Sequence, residues 1–322
     1  MTIHIPHINA IDPSKTMTLR SKWVSDFRRR FKLLLSDIKE ALIDQDVLGL
    51  INDENLNNKR INIINASGLS PRQFDFEIDA DKINAFMEWI NTQIEKYIMS
   101  GGTQGLQLFG RLDQLSSENN WMNVYIDSAY QQGIKRARQE LKKEGIDVGD
   151  IQSGISLDPI QVAFNTPIHA NRVGLIHTRV FSSLKNITAG MDSTISDILA
   201  IGMAEGRGPR QIAGAINKAM IGSGNDFGIL DSLGRYIPAR RRAEILARTE
   251  VIRAHHSANI GEYKAAGILG IKVQVEYLTA GDSRVCPICR PLNGRIYSIE
   301  EAENLIPRHP QCRCVALPYI ED

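Results

Sequence analysis

The sequence lacks most of the features that would assign it to a class at once. It has only four cysteines, all in the last 37 of its 322 positions, and only 6% of its residues are aromatic. Its 38 basic and 37 acidic residues nearly cancel, so net charge does not point to nucleic acid or membrane as the partner. No run approaches the roughly 18 apolar residues of a transmembrane helix, and the N-terminus lacks the pattern of a secretory signal. We therefore expect a chain made in a reducing cytoplasm, where clustered thiols more often bind metal or catalyse than form disulfides.

Apolar residues recur at helical spacing along most of the chain, which predicts a mainly α-helical protein. A first helical stripe lies within 14–50, and further helices are expected over 83–98, 117–144, 166–199, after Pro209 and over 238–267. The helix at 166–199 either continues or bends near Gly190. The Gly-rich segment that ends at Asp158-Pro159 predicts a boundary, which divides the chain into 1–150, a helical N-terminal region, and 151–322. The first stripe comprises Trp23, Phe27, Phe31, Leu34, Ile38 and Leu42.

Two segments have the alternation of β-strands rather than the spacing of helices. Val273, Val275 and Tyr277 alternate with polar residues, so the strand at 272–278 has one buried face. Residues 61–64 and 74–78 predict a small hairpin. The expected fold class is therefore mainly α-helical, α+β, with a helical core, a small sheet and a C-terminal zinc-knuckle module over 272–318.

The cysteines form two close pairs with a histidine beside the second pair. Cys286 and Cys289 are separated by two residues, and His309, Cys312 and Cys314 follow after a gap of nineteen residues. Two short pairs joined by a loop are typical of tetrahedral zinc, because each pair closes at low entropic cost and the metal fixes the loop. Cys286, Cys289 and Cys312 are the favoured ligands. His309 is preferred as the fourth, but Cys312 and Cys314 would share one face of a strand, so Cys314 stays open.

Zinc at this position would have a structural role. The segment 279–322 has few large apolar residues, whereas structural zinc supplies about 10–16 kcal/mol of apparent folding free energy in small domains. Four protein donors leave no open coordination position for a reacting water. Two disulfides or four inert thiols are the alternative, and a redox role is weaker because no βαβ setting surrounds the motif.

Three segments together resemble the C-terminal signature of the phage Mu F-like family, the minor head or head-morphogenesis proteins of tailed bacteriophages. The segments read "LARTEVIRAHHSANIGEYKAAGI", "VEYLTAGDSRVCPICRPLNGRIYS" and "PRHPQCRCVALP". The resemblance covers roughly residues 156–318. Within this motif, Asp282 and Arg284 are expected to pair and fix the knuckle to the preceding strand, and Gly294 permits the turn after Leu292.

The resemblance implies a virion protein rather than an enzyme. Such a protein is made in the host cytoplasm during assembly and binds the portal protein at the portal vertex inside the capsid. Scaffold or capsid proteins and packaged double-stranded DNA are further candidate partners, and the protein is a candidate for ejection with the genome. Residues 1–150 would face the portal or the DNA.

The rival hypothesis is a phage-encoded enzyme, either a zinc-knuckle nuclease or an ADP-ribosyltransferase. Arg248-Thr249-Glu250 suggests ADP-ribose transfer, but the strands that would hold such residues are missing. His255 and His256 suggest a nuclease, yet adjacent helical residues point about 100° apart and cannot share one ion, so we expect one to be packed and the other solvated. We therefore assign no catalytic residue.

Two basic clusters are candidates for DNA contact. Residues 15–32 contain seven basic residues and one acidic residue, and residues 235–253 contain six arginines and two glutamates. Either cluster would attract a phosphate backbone without regard to sequence. A solvated helix face is an equally good explanation of each cluster alone. The candidate contact residues are Arg28, Arg29, Arg30, Arg240, Arg241 and Arg242.

Overall fold

The computed structural model describes residues 12–50, 79–99, 121–146, 158–222, 237–268 and 272–320. The hairpin predicted for 61–64 and 74–78 and most of the predicted boundary near residue 150 lie outside these residues. Where the structure describes the chain, the prediction of a mainly helical fold with a small sheet is confirmed. The helices are α1 (Met17–Lys39), α2 (Asp79–Ile94), α3 (Asn123–Lys143), α4 (Pro159–Phe164), α5 (Pro167–Ala204), α6 (Pro209–Ile221), α7 (Ala239–Ile268) and α8 (Ile299–Ala302).

The predicted apolar stripes form the buried faces of these helices. The six apolar residues of the first stripe are each at most 1% exposed. π-Helical turns at Glu40–Asp44 and Glu95–Met99 extend α1 and α2. The helix predicted over 166–199 continues through Gly190, because α5 is one helix of 38 residues. None of the helices in the described ranges is long and apolar enough to cross a membrane.

The sheet has three antiparallel strands, β1 (Gln274–Leu278), β2 (Ile296–Tyr297) and β3 (Val315–Tyr319), in the order β2-β1-β3. β1 is central and pairs Tyr277 with Ala316 and Glu276 with Ile296. As the alternation predicts, Val275 and Tyr277 of β1 are fully buried. β1 therefore delivers the chain to the first cysteine pair, and β3 begins directly after the second.

The chain divides into two compact units, each assembled from segments that are distant in sequence. The sheet unit comprises Met1–Val24, Met122–Val180 and Ile245–Asp322, and the helical unit comprises Ser25–Trp121 and Phe181–Glu244. The division at residue 150 that the sequence suggests stays a prediction.

Within the sheet unit, α3 and α7 approach so closely that one position admits only glycine. A Cβ added to Gly133 would lie 2.5 Å from the carbonyl oxygen of His255 and 2.6 Å from the Cβ of Ala258. These distances are shorter than real Cβ contacts, so the helices would have to separate. Gly133 thus fixes the position of the segment of α7 that supports the C-terminal tail.

Candidate metal centre

The first cysteine pair lies in a tight turn that follows β1. The backbone N–H of Cys289 donates to Cys286 Sγ at 3.3 Å, as expected for a knuckle whose amides point at the sulfur. A 3₁₀ turn at Arg290–Leu292 follows, and Gly294 then adopts a φ of 76°, in the left-handed region that favours glycine. Gly294 N–H donates to the carbonyl of Tyr277 at 2.8 Å, which returns the chain to β1.

The tertiary fold brings all five predicted donors together. Cys286, Cys289 and His309 form one group of mutually close ligand atoms, and Cys289, Cys312 and Cys314 form a second. Within each group every ligand atom lies within 4.8 Å of the others, so each group is close enough to hold a metal ion. All four cysteines are free thiols, so the disulfide alternative is not realised. Cys289 belongs to both groups and links them.

The contacts of His309 fix which ring nitrogen faces the sulfurs. Nδ1 lies 2.8 Å from the carbonyl oxygen of Pro310, which can only accept, so Nδ1 carries the hydrogen. Nε2 therefore presents a lone pair, and it lies 3.1 Å from Cys286 Sγ. Tetrahedral zinc places a sulfur and a nitrogen ligand about 3.5 Å apart, so this pair is within a few tenths of an ångström of that geometry. A metal-binding histidine usually has its other nitrogen on such a carbonyl.

The second group is more deeply buried than the first. Cys289, Cys312 and Cys314 are at most 5% exposed, while Cys286 is partly exposed. Burial raises the pKa of the Cys289 thiol to about 11. The neighbouring Cys314 thiol lowers the pKa of Cys312, and the neighbouring Cys312 raises the pKa of Cys314. A bound cation would favour the thiolate at each sulfur.

Buried groups outside the donor set hold the sulfurs in place. Tyr277 of β1 donates its hydroxyl hydrogen to Cys289 Sγ at 3.2 Å, a role that its place on the buried face of the predicted strand could have suggested. Three cysteines also pack in an apolar cluster that includes Ile252 and Tyr263 of α7. The expectation that the tail has little apolar packing of its own is therefore incomplete, because α7 supplies part of it.

Asp282 is held mainly by a residue that the sequence analysis missed. Arg284 donates to Asp282 at 3.0 and 3.2 Å, as the sequence predicts, but Arg313 makes the shorter bidentate pair at 2.6 and 2.7 Å. Arg313 lies between the last two cysteines, so Asp282 ties the first cysteine turn to the second. The Arg313 guanidinium holds the pKa of Asp282 well below its usual range, so the pair stabilises the fold above about pH 4 and is lost as pH falls through that lowered pKa.

Arg248 and Thr249, the first two residues of the suggested ADP-ribosyltransferase motif, bind the segment that carries the second cysteine pair. Arg248 donates to Gln311 Oε1 at 3.0 Å, and the Thr249 hydroxyl accepts from Gln311 N–H at 3.0 Å. Glu250 is 2% exposed and pairs with Arg179 and Arg253. This part of the motif therefore positions the residue next to Cys312.

The prediction that one of the two adjacent histidines is solvated was wrong. His255 and His256 are 2% and 3% exposed. Burial lowers the pKa of His255 to about 3 and that of His256 to about 4, so both are neutral at physiological pH. His256 Nε2 lies 2.8 Å from the carbonyl oxygen of Ala302, which attaches α7 to α8. Both rings pack inward because α7 is covered on more than one face, which helical spacing alone does not indicate.

The candidate DNA-contact arginines of the helical unit are paired within that unit. Glu244, 2% exposed, lies 2.8 Å from Arg28, 3.3 Å from Arg241 and 3.7 Å from Arg240. Arg29 pairs with the neighbouring Asp26.

The other two arginines have restricted access to solvent. Arg30 is 4% exposed, donates to the Tyr97 carbonyl at 2.9 Å and lies 3.8 Å from the centre of the Trp121 ring, so it offers little surface to a phosphate. Partial burial lowers the pKa of Arg242. Two carboxylates, those of Glu244 and Asp26, thus offset part of the charge of the six candidate arginines, and DNA contact stays a prediction.

Comparison with known proteins gives one family. Residues 193–317 match the family described as "Phage Mu protein F like protein". The match confirms the resemblance predicted from the cysteine motif, although it begins after the expected residue 156. This part of the chain, which includes the candidate metal centre, is therefore similar to the phage Mu F-like family, and the similarity supports a phage head-morphogenesis or minor capsid protein with a place in the virion. The chain matches no curated protein and no solved structure.

Proposed function

We propose that the protein is a minor head protein that binds the portal through a C-terminal module folded around one structural zinc ion. The observation that carries this proposal is the presence of two groups of Cys and His ligand atoms, joined through Cys289, inside the region of the family match. Zinc suits thiolate and imidazole donors, and two separate chain segments supply them. The ion would therefore join the turn after β1 to the segment before β3.

The proposed ligands are Cys286, Cys289, His309 and Cys312. Nε2 of His309 has its lone pair toward the sulfurs, and Cys289 links the two groups. Cys314 stays the alternative fourth ligand, since it is in the second group. With four protein donors the zinc supplies cross-linking and no open coordination position, so these residues would hold the tail rather than activate water.

The surface that this module presents suits another protein. Ile288, between the first two cysteines, is 57% exposed, and Ile296 of the edge strand β2 is 43% exposed. Apolar side chains on a rigid turn are typical anchors of a protein interface. Placement at the portal vertex follows from the family resemblance, and contacts with scaffold, capsid or DNA stay predictions.

Portal binding and its dependence on metal can be tested together. The purified chain should bind the portal protein of the same phage, and Ile288→Asp should weaken that binding while it retains the metal. Ile168→Asp, at an apolar residue of α5 with 42% exposure, is the matched control and should bind normally. Portal binding that survives both complete chelation and Ile288→Asp would contradict the proposal. Clear turnover of DNA or NAD by the same preparation would favour the enzyme hypothesis.

A further inference from the structure

A cleft of about 600 Å³ opens in the sheet unit, and its lining includes none of the five predicted metal donors. Residues of α5, α7 and the segment after α8 line it. Its volume is in the range of sites that bind small molecules or side chains of a partner. Its lining combines three chemical features, an aliphatic wall, several guanidinium groups and one buried imidazole.

The aliphatic wall is partly exposed. Ile176 and Ile306 are 6% and 1% exposed and form its buried part, whereas Leu175 at its edge is 73% exposed. An exposed leucine beside buried isoleucines can take a further aliphatic side chain without any rearrangement of the core.

The charged lining has an excess of positive charge. Arg179 and Arg253 share one buried carboxylate, that of Glu250, at 3.2–3.3 Å. Arg172 shares Glu303 with Lys264, at 2.8 and 3.1 Å. The lining itself contains three arginines and one carboxylate, that of Glu303. Arg179 is the most accessible of the three arginines, with 54% of its side chain exposed, so it can turn toward an added anion.

The imidazole of His256 identifies the kind of ligand. Its Nε2 donates to the Ala302 carbonyl, so Nδ1 has only a lone pair to offer. Nδ1 is buried, and the residues that the structure describes offer it no hydrogen-bond partner. A buried acceptor of this kind is costly unless a donor reaches it. A phosphodiester backbone presents acceptors only, whereas a polypeptide supplies N–H groups.

We propose that this cleft binds an extended segment of a partner protein in which acidic and aliphatic side chains alternate. A carboxylate would pair with Arg179, a backbone N–H would donate to His256 Nδ1, and an aliphatic side chain would pack on Leu175. The inference rests on the proposed function, in that it requires a protein partner, but it does not involve the cysteines. DNA is the competing occupant, and the test includes it.

The test uses a short, capped, fluorescein-labelled peptide in which aspartate alternates with leucine, titrated into the full chain and followed by fluorescence anisotropy. The same peptide with asparagine in place of aspartate should bind about tenfold more weakly. Arg179→Ala should weaken the acidic peptide about tenfold, and Leu175→Ser should weaken it several-fold. Arg29→Ala, at an exposed arginine outside the cleft, is the matched control and should leave the affinity unchanged.

Several outcomes would overturn the inference. These are no binding of the acidic peptide, equal binding of the asparagine peptide, displacement of the peptide by a DNA duplex, or normal affinity in Arg179→Ala and Leu175→Ser. His256→Phe should also weaken binding, but the two exposed positions decide the matter if that variant does not fold. Metal content is measured on every variant, so a loss of peptide binding at full metal content implicates the cleft, and a loss that follows metal content implicates the proposed zinc site.

Discussion

The α1 region carries a cluster of basic residues and the C-terminal tail a cluster of Cys and His donors, and the sequence suggests a function for both. In the structure the surroundings of the two clusters differ. In the helical unit, the arginines of α1 and α7 pair with Glu244 and Asp26 or lie against Trp121. In the tail, the donors of two distant segments converge on Cys289 without a carboxylate among them. Charges on helices are readily satisfied by neighbours, whereas converging thiols bring no opposite charge of their own. Convergence of such ligands is therefore the stronger indication of a site.

Removal of the metal should have the largest effect, and it should affect the tail and the helical unit differently. A chelator should unfold β1, β2 and β3, since structural zinc supplies about 10–16 kcal/mol of apparent folding free energy in small domains. The helices of the helical unit should keep their protection. Amide hydrogen exchange, resolved by segment, measures both. Equal protection of the strands with and without chelator would remove the difference between the regions.

A core substitution in α1 tests the reverse case. Phe27 is fully buried and lies 4.9 Å from the Trp121 ring, centre to centre, in an edge-to-face arrangement, so Phe27→Ala should destabilise the helical unit by about 3–5 kcal/mol. Metal content should not change. Leu33→Ala, at a 40% exposed position of the same helix, is the control and should cost less than about 0.5 kcal/mol. Loss of metal in Phe27→Ala would show that the two regions are not independent.

The two arginines on Asp282 should differ in effect. Arg313→Ala breaks the short bidentate pair that joins the two cysteine segments, so it should lower the thermal midpoint of the tail. Arg284→Ala removes longer contacts from a side chain that is 67% exposed and should change the midpoint little. A larger effect of Arg284→Ala would mean that the pair predicted from the sequence is the important one.

The smallest effect is expected for DNA. Since the other arginines around Glu244 keep their charge in each single variant, Arg28→Ala and Arg241→Ala should change duplex affinity by less than about twofold, with little change in its salt dependence. Filter binding at two salt concentrations measures this. A clear loss of affinity, with a shallower salt dependence, would restore these arginines as DNA contacts.

Much of the fold could be predicted because helical and strand periodicity report burial directly. The α1 stripe and the buried face of β1 follow from apolar spacing alone. The five donors could be named because ligand type and spacing depend on local chain geometry. Arg313, Gln311 and the inward packing of both histidines depend on which segments meet in three dimensions. The spacing of residues along the sequence does not indicate the contacts that Arg313, Gln311 and the two histidines make.

Metal stoichiometry tests the central claim most directly. Elemental analysis of the purified chain should find one zinc per chain, retained in Cys314→Ser and lost in Cys312→Ser and His309→Ala. If zinc is lost in Cys314→Ser and retained in His309→Ala, the fourth ligand is Cys314 rather than His309. A purified chain that contains no metal, and whose three strands stay folded in strong chelator, would contradict the account.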